Sequence, residues 1–313
     1  MISTYHFFML LSYIYSFIYE YLGNNKFGDM MLYGWLIFSS FLWGTNVLVM
    51  KYMLENTTTY FLAALKVLLS VIAIFVIMKY KKIPFKWYKG SLGIKVSLLS
   101  ITINFILTFE GLNLITGSSN AIVNSLAPLV TILLTWLFYH TKVNRYQLIA
   151  MIIACIGFLI SLDFNISQIS LGHLMMIGGI VLYSYGNLLM QHQCKKEDSL
   201  PFTFQYLCLS FFQLALITLF IPSSNHLENI SITLWVLFII FSGIGFAIIQ
   251  LTYFRAVHEI GSVKTSFLLG LNPVFTYIGS LLLQENFNFN KFMAMILMVV
   301  AMVIANKKKI VSS

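Results

Sequence analysis

Long runs of apolar residues, separated by short polar connections, form the main pattern of this chain. About 20 apolar residues in a helix cross a hydrocarbon core of ~30 Å, and ten runs approach this length. They predict ten membrane-spanning helices: Leu32–Met50, Tyr60–Met78, Leu92–Leu112, Ser118–Phe138, Gln147–Leu162, Gly172–Met190, Phe202–Ile221, Leu234–Phe254, Ser262–Leu283 and Phe292–Asn306. The predicted fold class is an all-α polytopic membrane protein.

The composition agrees with a lipid environment. Only 9% of the residues are charged and 59% are hydrophobic, whereas soluble domains carry about 25% charged residues. The formal net charge of +9 would suggest nucleic acid as the partner of a soluble protein. Here the basic residues lie in the short connections, so we expect the lipid bilayer as a partner and no nucleic acid. An odd number of cysteines, three, predicts no disulfide framework.

The basic residues also orient the chain, because cytoplasmic loops of membrane proteins retain Lys and Arg. If the first span starts in the cytoplasm, the inner segments hold fifteen of the nineteen basic residues. The outer loops then hold only Lys51 and Lys291, while Lys26 precedes the first span and Lys66 lies inside the second. We therefore predict a multi-pass protein of the cell membrane with both ends of its ten-span body in the cytoplasm.

Two parts of the chain resemble each other. Phe109–His140 aligns without gaps on Phe254–Glu285, which pairs Pro128 with Pro273. A shift of 140 brings Trp43 opposite Tyr183, and a shift of 141 brings Asn46 opposite Asn187. Each half then contains five spans, and an odd number makes the second half enter the membrane from the opposite side. Such inverted repeats are typical of secondary transporters, with the substrate site between the halves near the midplane.

These repeats suggest a domain organisation. The first repeat is expected over residues 31–163 and the second over 171–306, followed by a basic cytoplasmic tail at 307–313. Residues 1–30 form an N-terminal extension with two interpretations. It is either an interfacial or additional helix, or a stretch upstream of the true start of the protein.

The sequence Trp43-Gly44-Thr45-Asn46 in the first span resembles the WG-x-N motif of EamA-like members of the drug/metabolite transporter superfamily. The repeated small-residue turn followed by a proline-containing span is similar to that family too, as is Gln284-Glu285 at the end of the second repeat. Lys66 stands where such proteins often carry Arg or Lys. The resemblance covers roughly residues 31–306 and implies a permease built of two inverted repeats.

Polar side chains at membrane depth are the candidates for substrate binding. They are Trp43, Asn46, Lys66, Asn104, Asn120, Asn124, Tyr183, Asn187 and Asn272. A buried ammonium costs several kcal/mol unless it is paired or hydrated, so Lys66 is either a counter-charge for a substrate anion or a side chain that reaches back to the interface. The amides either line a cavity or form hydrogen bonds between helices.

Three further residues are candidates for coupling or gating. Glu110 has three interpretations. It pairs with Lys66, it is a protonatable coupling group, or it is simply hydrated near the outer end of span 3. Glu285 and His140 end equivalent spans on opposite faces; Glu285 could stabilise the start of span 10 through the helix dipole, and His140 could sense pH. His140 replaces the Glu expected from the family, and Glu110 replaces a small residue.

The function predicted from these features is alternating-access transport of small polar metabolites, with export of amino acids or related zwitterionic or anionic compounds. A proton or ion would couple transport in a monomer or homodimer, without cofactor or metal. An intramembrane enzyme is one alternative, but the Asp residues lie outside the spans and no HExxH, GxSxG or P-loop occurs. A channel is the other, and no filter-like loop is visible.

Overall fold

The computed structural model describes residues 27–165, 168–195, 198–221 and 225–305, and these ranges contain helices and no β-strand. The chain divides into two units, Met1–Trp35 and Leu36–Ser313. In the first unit the described residues form the beginning of a helix, and the second unit contains the remainder of that helix and all the others. Most of the predicted N-terminal extension (1–26) and the basic tail (307–313) lie outside the described residues.

Helices α1 to α10 follow one another along the chain: α1 (Phe27–Leu54), α2 (Thr59–Tyr80), α3 (Leu92–Leu114), α4 (Gly117–Tyr139), α5 (Arg145–Ser161), α6 (Leu171–Gln193), α7 (Ser199–Phe220), α8 (Ile232–Ile260), α9 (Ser262–Leu269 and Asn272–Leu282) and α10 (Phe289–Ala305). Seven helices in the described ranges are long and apolar enough to cross a membrane, and α5 and α10 are shorter apolar helices. The protein is thus a multi-pass helical membrane protein, while the number of ten spans stays a prediction.

Helices α4 and α9 are both interrupted just before a proline. Pro128 and Pro273 stand in the first turn after the interruption, at Ser125–Leu126 in α4 and Gly270–Leu271 in α9. Proline lacks the N–H that would bond to the preceding turn, and its ring collides with that carbonyl, so a continuous α-helix cannot pass through it. The two interruptions lie at positions that the sequence repeat pairs with each other.

A second shared irregularity lies in α3 and α8. Each contains seven residues of π-helix, Ser97–Ile103 in α3 and Phe238–Ile244 in α8. The two segments align residue by residue in the register that pairs Asn46 with Asn187, so the repeat extends from the sequence into the fine geometry of the backbone. Beyond the π segment α8 is longer than α3, which explains why the register that pairs the prolines is shifted by a few residues from this one.

Equivalent helices of the two halves pack against each other in antiparallel pairs. The first piece of α4 contacts the second piece of α9, and the second piece of α4 contacts the first piece of α9. Helices α2 and α7 form another close pair, as do α5 and α10. Glycine permits the closest approach: a Cβ at Gly44 of α1 would lie 2.7 Å from Cβ of Phe275 and 2.8 Å from the carbonyl oxygen of Asn272 in α9.

Candidate functional site

A cavity lies among helices of both halves, within the second unit of the chain. Its volume is about 90 Å³ when counted as the space open to the centre of a water molecule. About 10–15 Å³ by this measure holds one water, so the space fits several waters or a small metabolite. Most of the surface of the lining is apolar, although half of the lining residues are polar. The polar lining residues are Asn46, Lys66, Asn104, Thr108, Asn120, Asn124, Thr131, Tyr183, Ser184, Tyr253, Ser266 and Asn272.

Pairs of repeat-equivalent residues meet at this cavity. The ring of Trp43 in α1 contacts that of Tyr183 in α6 at 5.4 Å between centroids, in an edge-to-face arrangement. The rings of Phe105 in α3 and Phe246 in α8 lie 5.2 Å apart. Equivalent residues can touch only near the axis that relates the two halves, so the cavity lies at the centre of the repeat.

One side of the cavity carries its positive charge. Lys66 is 2% exposed, and its Nζ donates a hydrogen bond to Oδ1 of Asn46 at 3.2 Å. Three phenyl rings surround the ammonium, with centroids 4.7 Å (Phe105), 5.4 Å (Phe109) and 4.5 Å (Phe246) from Nζ. Aromatic faces attract cations, and the side chain therefore remains inside the protein instead of reaching an interface. We call these five residues the cationic end.

The cationic end contains no counter-charge. Within the described part of the chain, no carboxylate lies within the 4.0 Å ion-pair distance of Lys66 Nζ. In particular, the ion pair between Lys66 and Glu110 that the sequence suggested is not formed. An amide oxygen and three ring faces stabilise the ammonium without neutralising it, which leaves the positive charge available to an anion that enters the cavity.

Toward the connection of α8 and α9, the cavity is lined by hydroxyl groups. Ser266 donates to Oγ1 of Thr131 at 3.3 Å, and Thr131 donates to Oγ of Ser184 at 3.3 Å. The rings of Tyr183 and Tyr253 lie 6.0 Å apart. We call these five residues the neutral end.

Asn187 adjoins the neutral end without lining the cavity. It follows Tyr183 by one helical turn on the same face of α6 and lies beside the hydroxyls of both tyrosines. Neither Nδ2 of Asn187 nor the hydroxyl of Tyr183 has a hydrogen-bond partner among the described residues. Buried polar groups are normally hydrogen-bonded, so the Tyr183 hydroxyl, which belongs to a lining residue, is suited to a ligand or to water in the cavity.

The structure brings together eight of the nine predicted substrate-binding residues, all but Asn187, in the lining of one cavity. Some of them also bond within the protein. Asn104 Nδ2 donates to the carbonyl of Gly179 at 2.8 Å, and Asn124 Nδ2 donates to Oδ1 of Asn120 at 2.6 Å. Asn104 thus joins α3 to α6, which agrees with the interhelical interpretation, and it lines the cavity as well.

The three coupling candidates do not line the cavity. Glu110 is half-buried in α3. His140 is exposed and ends α4 in a left-handed conformation with φ of 51°. Glu285 follows α9 and contacts the start of α4, where its Oε2 accepts from the backbone N–H of Ser118 at 3.2 Å.

A polar network holds the Glu285 end together. The hydroxyl of Ser118 donates to Oε1 of Glu285, and Nζ of Lys291 lies 3.7 Å from the same oxygen. Lys291 also donates to Oγ1 of Thr116 at 3.0 Å. Nearby, Lys51 of α1 donates to the carbonyl of Leu112 at 3.0 Å and so stabilises the C-terminal end of α3. These contacts join α1, α3, α4, α9 and α10 at one end of the bundle.

The cage of phenyl rings and the tyrosine of α8 were missed by sequence reasoning. Phe105 and Phe246 are equivalent in the register that pairs Asn46 with Asn187, and they have the same residue type, which is a signal that could have found them. Tyr253 gave no such signal, because a tyrosine in an apolar span is as common in packing as in binding.

The family comparison places both halves of the chain in one family. The model of the EamA-like transporter family matches residues 30–162 and again residues 170–307. A search of curated proteins finds none that matches the chain. Among solved structures, a crystal structure without a functional description matches with a TM-score of 0.68 at 13% identity, over 88% of this chain and 96% of that one. At such low identity this likeness shows the fold alone.

Proposed function

Because this chain belongs to the EamA-like transporter family, we propose that it is a secondary transporter of small polar metabolites that works by alternating access across the cell membrane. The observation that carries the proposal is the central cavity, which both repeats line and which contains one buried cation. Transporters with inverted repeats bind their substrates between the repeats. A lone ammonium favours substrates with a carboxylate, such as amino acids and related zwitterionic or anionic compounds.

The proposed architecture is ten spans in two inverted repeats, residues 31–163 and 171–306. Antiparallel packing of α4 with α9 supports the inversion, since these helices are repeat-equivalent and run in opposite directions. Short α5 and α10, and the interrupted α9, would cross the bilayer as tilted or broken helices. We place both ends of this body in the cytoplasm, and the Glu285 network at the outer surface, because the basic residues favour that orientation.

Alternating access follows physically from this arrangement. If the contacts at the Glu285 end separate while those at the opposite end close, the cavity changes the side to which it opens. The interruptions beside Pro128 and Pro273 lie next to the cavity residues Ala127 and Asn272, where a helix without a continuous hydrogen-bond ladder bends most easily. Export is the proposed direction and rests on the resemblance to drug/metabolite transporters; the coupling ion would be a proton or another cation.

Counterflow in proteoliposomes tests the proposal. Vesicles preloaded with one unlabelled small carboxylate or amino acid at a time should accumulate the same labelled compound, with saturation and with stimulation by the internal solute. Flux that is linear in concentration and carries an ohmic current would instead indicate a channel. Chemical turnover of the solute without flux would indicate an enzyme.

The orientation is tested separately. After replacement of Cys155, Cys194 and Cys208, single cysteines at Glu55 and Lys82 should react with impermeant maleimide from opposite sides, with Glu55→Cys labelled from outside. Labelling of both from the same side would contradict the proposed topology.

A further inference from the structure

Among the described residues, no carboxylate lines the cavity to pair with a cationic part of a substrate. Among the described residues, Lys66 is the only charged side chain in its lining. An amino acid would bring both a carboxylate and an ammonium into this space. The carboxylate could pair with Lys66, but the ammonium would meet no carboxylate, and an unpaired charge is costly in a site of low polarity.

Aromatic faces could replace a carboxylate as the partner of an ammonium. Of the six aromatic rings that the described residues contribute to the lining, Trp43 packs edge to face with Tyr183, whose ring lies 6.0 Å from that of Tyr253. The faces of the other three, Phe105, Phe109 and Phe246, already surround Nζ of Lys66 at 4.5–5.4 Å. A substrate ammonium placed against the same rings would come close to Lys66, and two like charges repel strongly where water is scarce. The cage therefore favours anions over zwitterions.

The charge of the anion is limited too. One ammonium balances one negative charge, and Asn46, its hydrogen-bond partner, is neutral. A phosphate ester carries close to two negative charges at neutral pH, and no second basic residue lines the cavity in the described ranges. A monocarboxylate is balanced by Lys66 alone.

The neutral end indicates the rest of the molecule. The hydroxyl of Tyr183 and Nδ2 of Asn187 have no hydrogen-bond partner among the described residues. An amide nitrogen only donates, and a phenol donates or accepts. The Tyr183 hydroxyl, which lines the cavity, can therefore donate to a hydroxyl or carbonyl oxygen of a ligand, while Asn187 lies beside it outside the lining. Neither group carries a negative charge that would pair with an ammonium.

We propose that the substrate is a small monocarboxylate whose other end carries hydroxyl or oxo groups, and that zwitterionic amino acids are discriminated against. This inference rests on the proposed transport function and narrows its substrate class. Lys66 binds the carboxylate in exchange for part of its contact with Asn46. Tyr183, which lines the cavity, donates to the hydroxyl or oxo oxygen.

Matched pairs of small molecules test the inference, since lactate and alanine differ by hydroxyl against ammonium at one carbon, as do glycerate and serine. Ligand binding raises the melting temperature of a purified protein by mass action. For the full-length protein in detergent, lactate and glycerate should raise it and should bind at least about tenfold more tightly than their amino-acid partners.

Variants of two lysines in one helix connect the effect to the cavity. Lys66→Met should weaken glycerate binding roughly 30-fold or more, and Lys66→Arg should retain part of it. Lys79→Met, which removes an exposed lysine of the same helix, should bind as the wild type does. The unliganded Lys66→Met protein should melt no lower than the wild type, because the substitution removes a buried charge that lacks a counter-charge. If Lys66 had only a structural role, the same substitution would lower the melting temperature.

The possible outcomes separate this inference from the proposed function. Equal or tighter binding of alanine and serine overturns the inference, as does a lack of binding by all four compounds or unchanged glycerate binding by Lys66→Met. If serine but not glycerate shows counterflow, the substrate inference is wrong while the transport function stands. If no solute shows counterflow, the transport function itself is wrong.

Discussion

In the first repeat, Lys66 of α2 faces the cavity beside Asn46, whereas the equivalent position in α7 of the second repeat holds Tyr206. The two are equivalent because α2 (Thr59–Tyr80) and α7 (Ser199–Phe220) are repeat-related helices of the same length, and each residue is the eighth of its helix. Tyr206 does not line the cavity; it is 2% exposed and accepts a hydrogen bond from Nε2 of Gln250 at 3.1 Å.

This difference shows how a duplicated fold acquires an asymmetric site. Gln250 occupies the position equivalent to Phe109 in the register that aligns the two π segments. The second repeat thus has a neutral hydrogen-bonded pair where the first has a cation and an aromatic face. Antiparallel helix pairs need similar backbones, but a single small substrate needs only one charged partner, so the chemistry of the two halves can diverge while the backbone does not.

Placing a charge at Tyr206, in the neutral pair that it forms with Gln250, should have the largest effect. Tyr206→Lys would bury an ammonium without the ring cage, the amide acceptor or the cavity that Lys66 has, so we expect a loss of about 3 kcal/mol in stability. Tyr206→Phe, the matched control, removes one hydrogen bond and should cost about 1 kcal/mol. Melting of the purified proteins measures both. A Tyr206→Lys protein as stable as the wild type would mean that the two clusters are interchangeable.

Removing the equivalent asparagines should give the next largest difference. Asn46→Leu takes away the hydrogen bond that orients the charged Lys66, so glycerate affinity should fall about tenfold. Asn187→Leu changes a residue that lies beside the Tyr183 hydroxyl outside the lining, so a loss of about threefold or less is expected. Both are measured by the concentration dependence of the melting temperature. A larger loss for Asn187→Leu would place the dominant interaction in the second repeat.

The equivalent phenylalanines should behave alike, in contrast to the lysine and the tyrosine. Phe105→Leu and Phe246→Leu each remove one ring at nearly the same distance from Lys66 Nζ, 4.7 and 4.5 Å. One cation–π contact is worth about 0.5–2 kcal/mol, so each variant should alter glycerate affinity by about threefold or more and in the same direction. Opposite directions would show that only one ring contacts the ammonium in solution.

A surface charge pair should have the smallest effect. Nζ of Lys86 lies 2.9 Å from Oδ1 of Asp198, and the Tyr88 hydroxyl and the Lys86 ammonium hold the pKa of this carboxyl below its ordinary value. A lowered carboxyl pKa contributes stability above its unfolded value of about 4, and the contribution is lost as the pH falls through the folded pKa.

The melting temperature of Asp198→Asn should therefore lie slightly below that of the wild type at pH 6, and the gap should narrow as the pH falls below about 4. The expected gap is small because the side chain of Lys86 is 59% exposed and the pair is screened by water. A gap that widens on acidification would contradict the assigned sign.

Hydropathy alone determined where this chain forms helices. Backbone groups in lipid must be hydrogen-bonded within the segment, so each predicted apolar run lies mostly within a helix of the structure, for example Ser118–Phe138 within Gly117–Tyr139. The repeat could be recognised in the sequence for a similar reason, because a proline such as Pro128 disrupts the hydrogen bonding of any helix in the same way. Pro128 and Pro273 mark in the sequence where α4 and α9 are interrupted. The π segments left no such mark, because a run of apolar residues is compatible with either a regular α-helix or a π-helix.

Only the tertiary structure decided which polar residues face the cavity. Lipid and a packed helix interface are both apolar, so a spanning helix carries little periodic signal of which face points inward. Lys66 shows the consequence: sequence left open whether it reaches the interface or remains inside. The answer depends on the rings of Phe105 in α3 and Phe246 in α8. Both lie far from Lys66 along the chain, and contacts between segments so distant arise only when the helices pack.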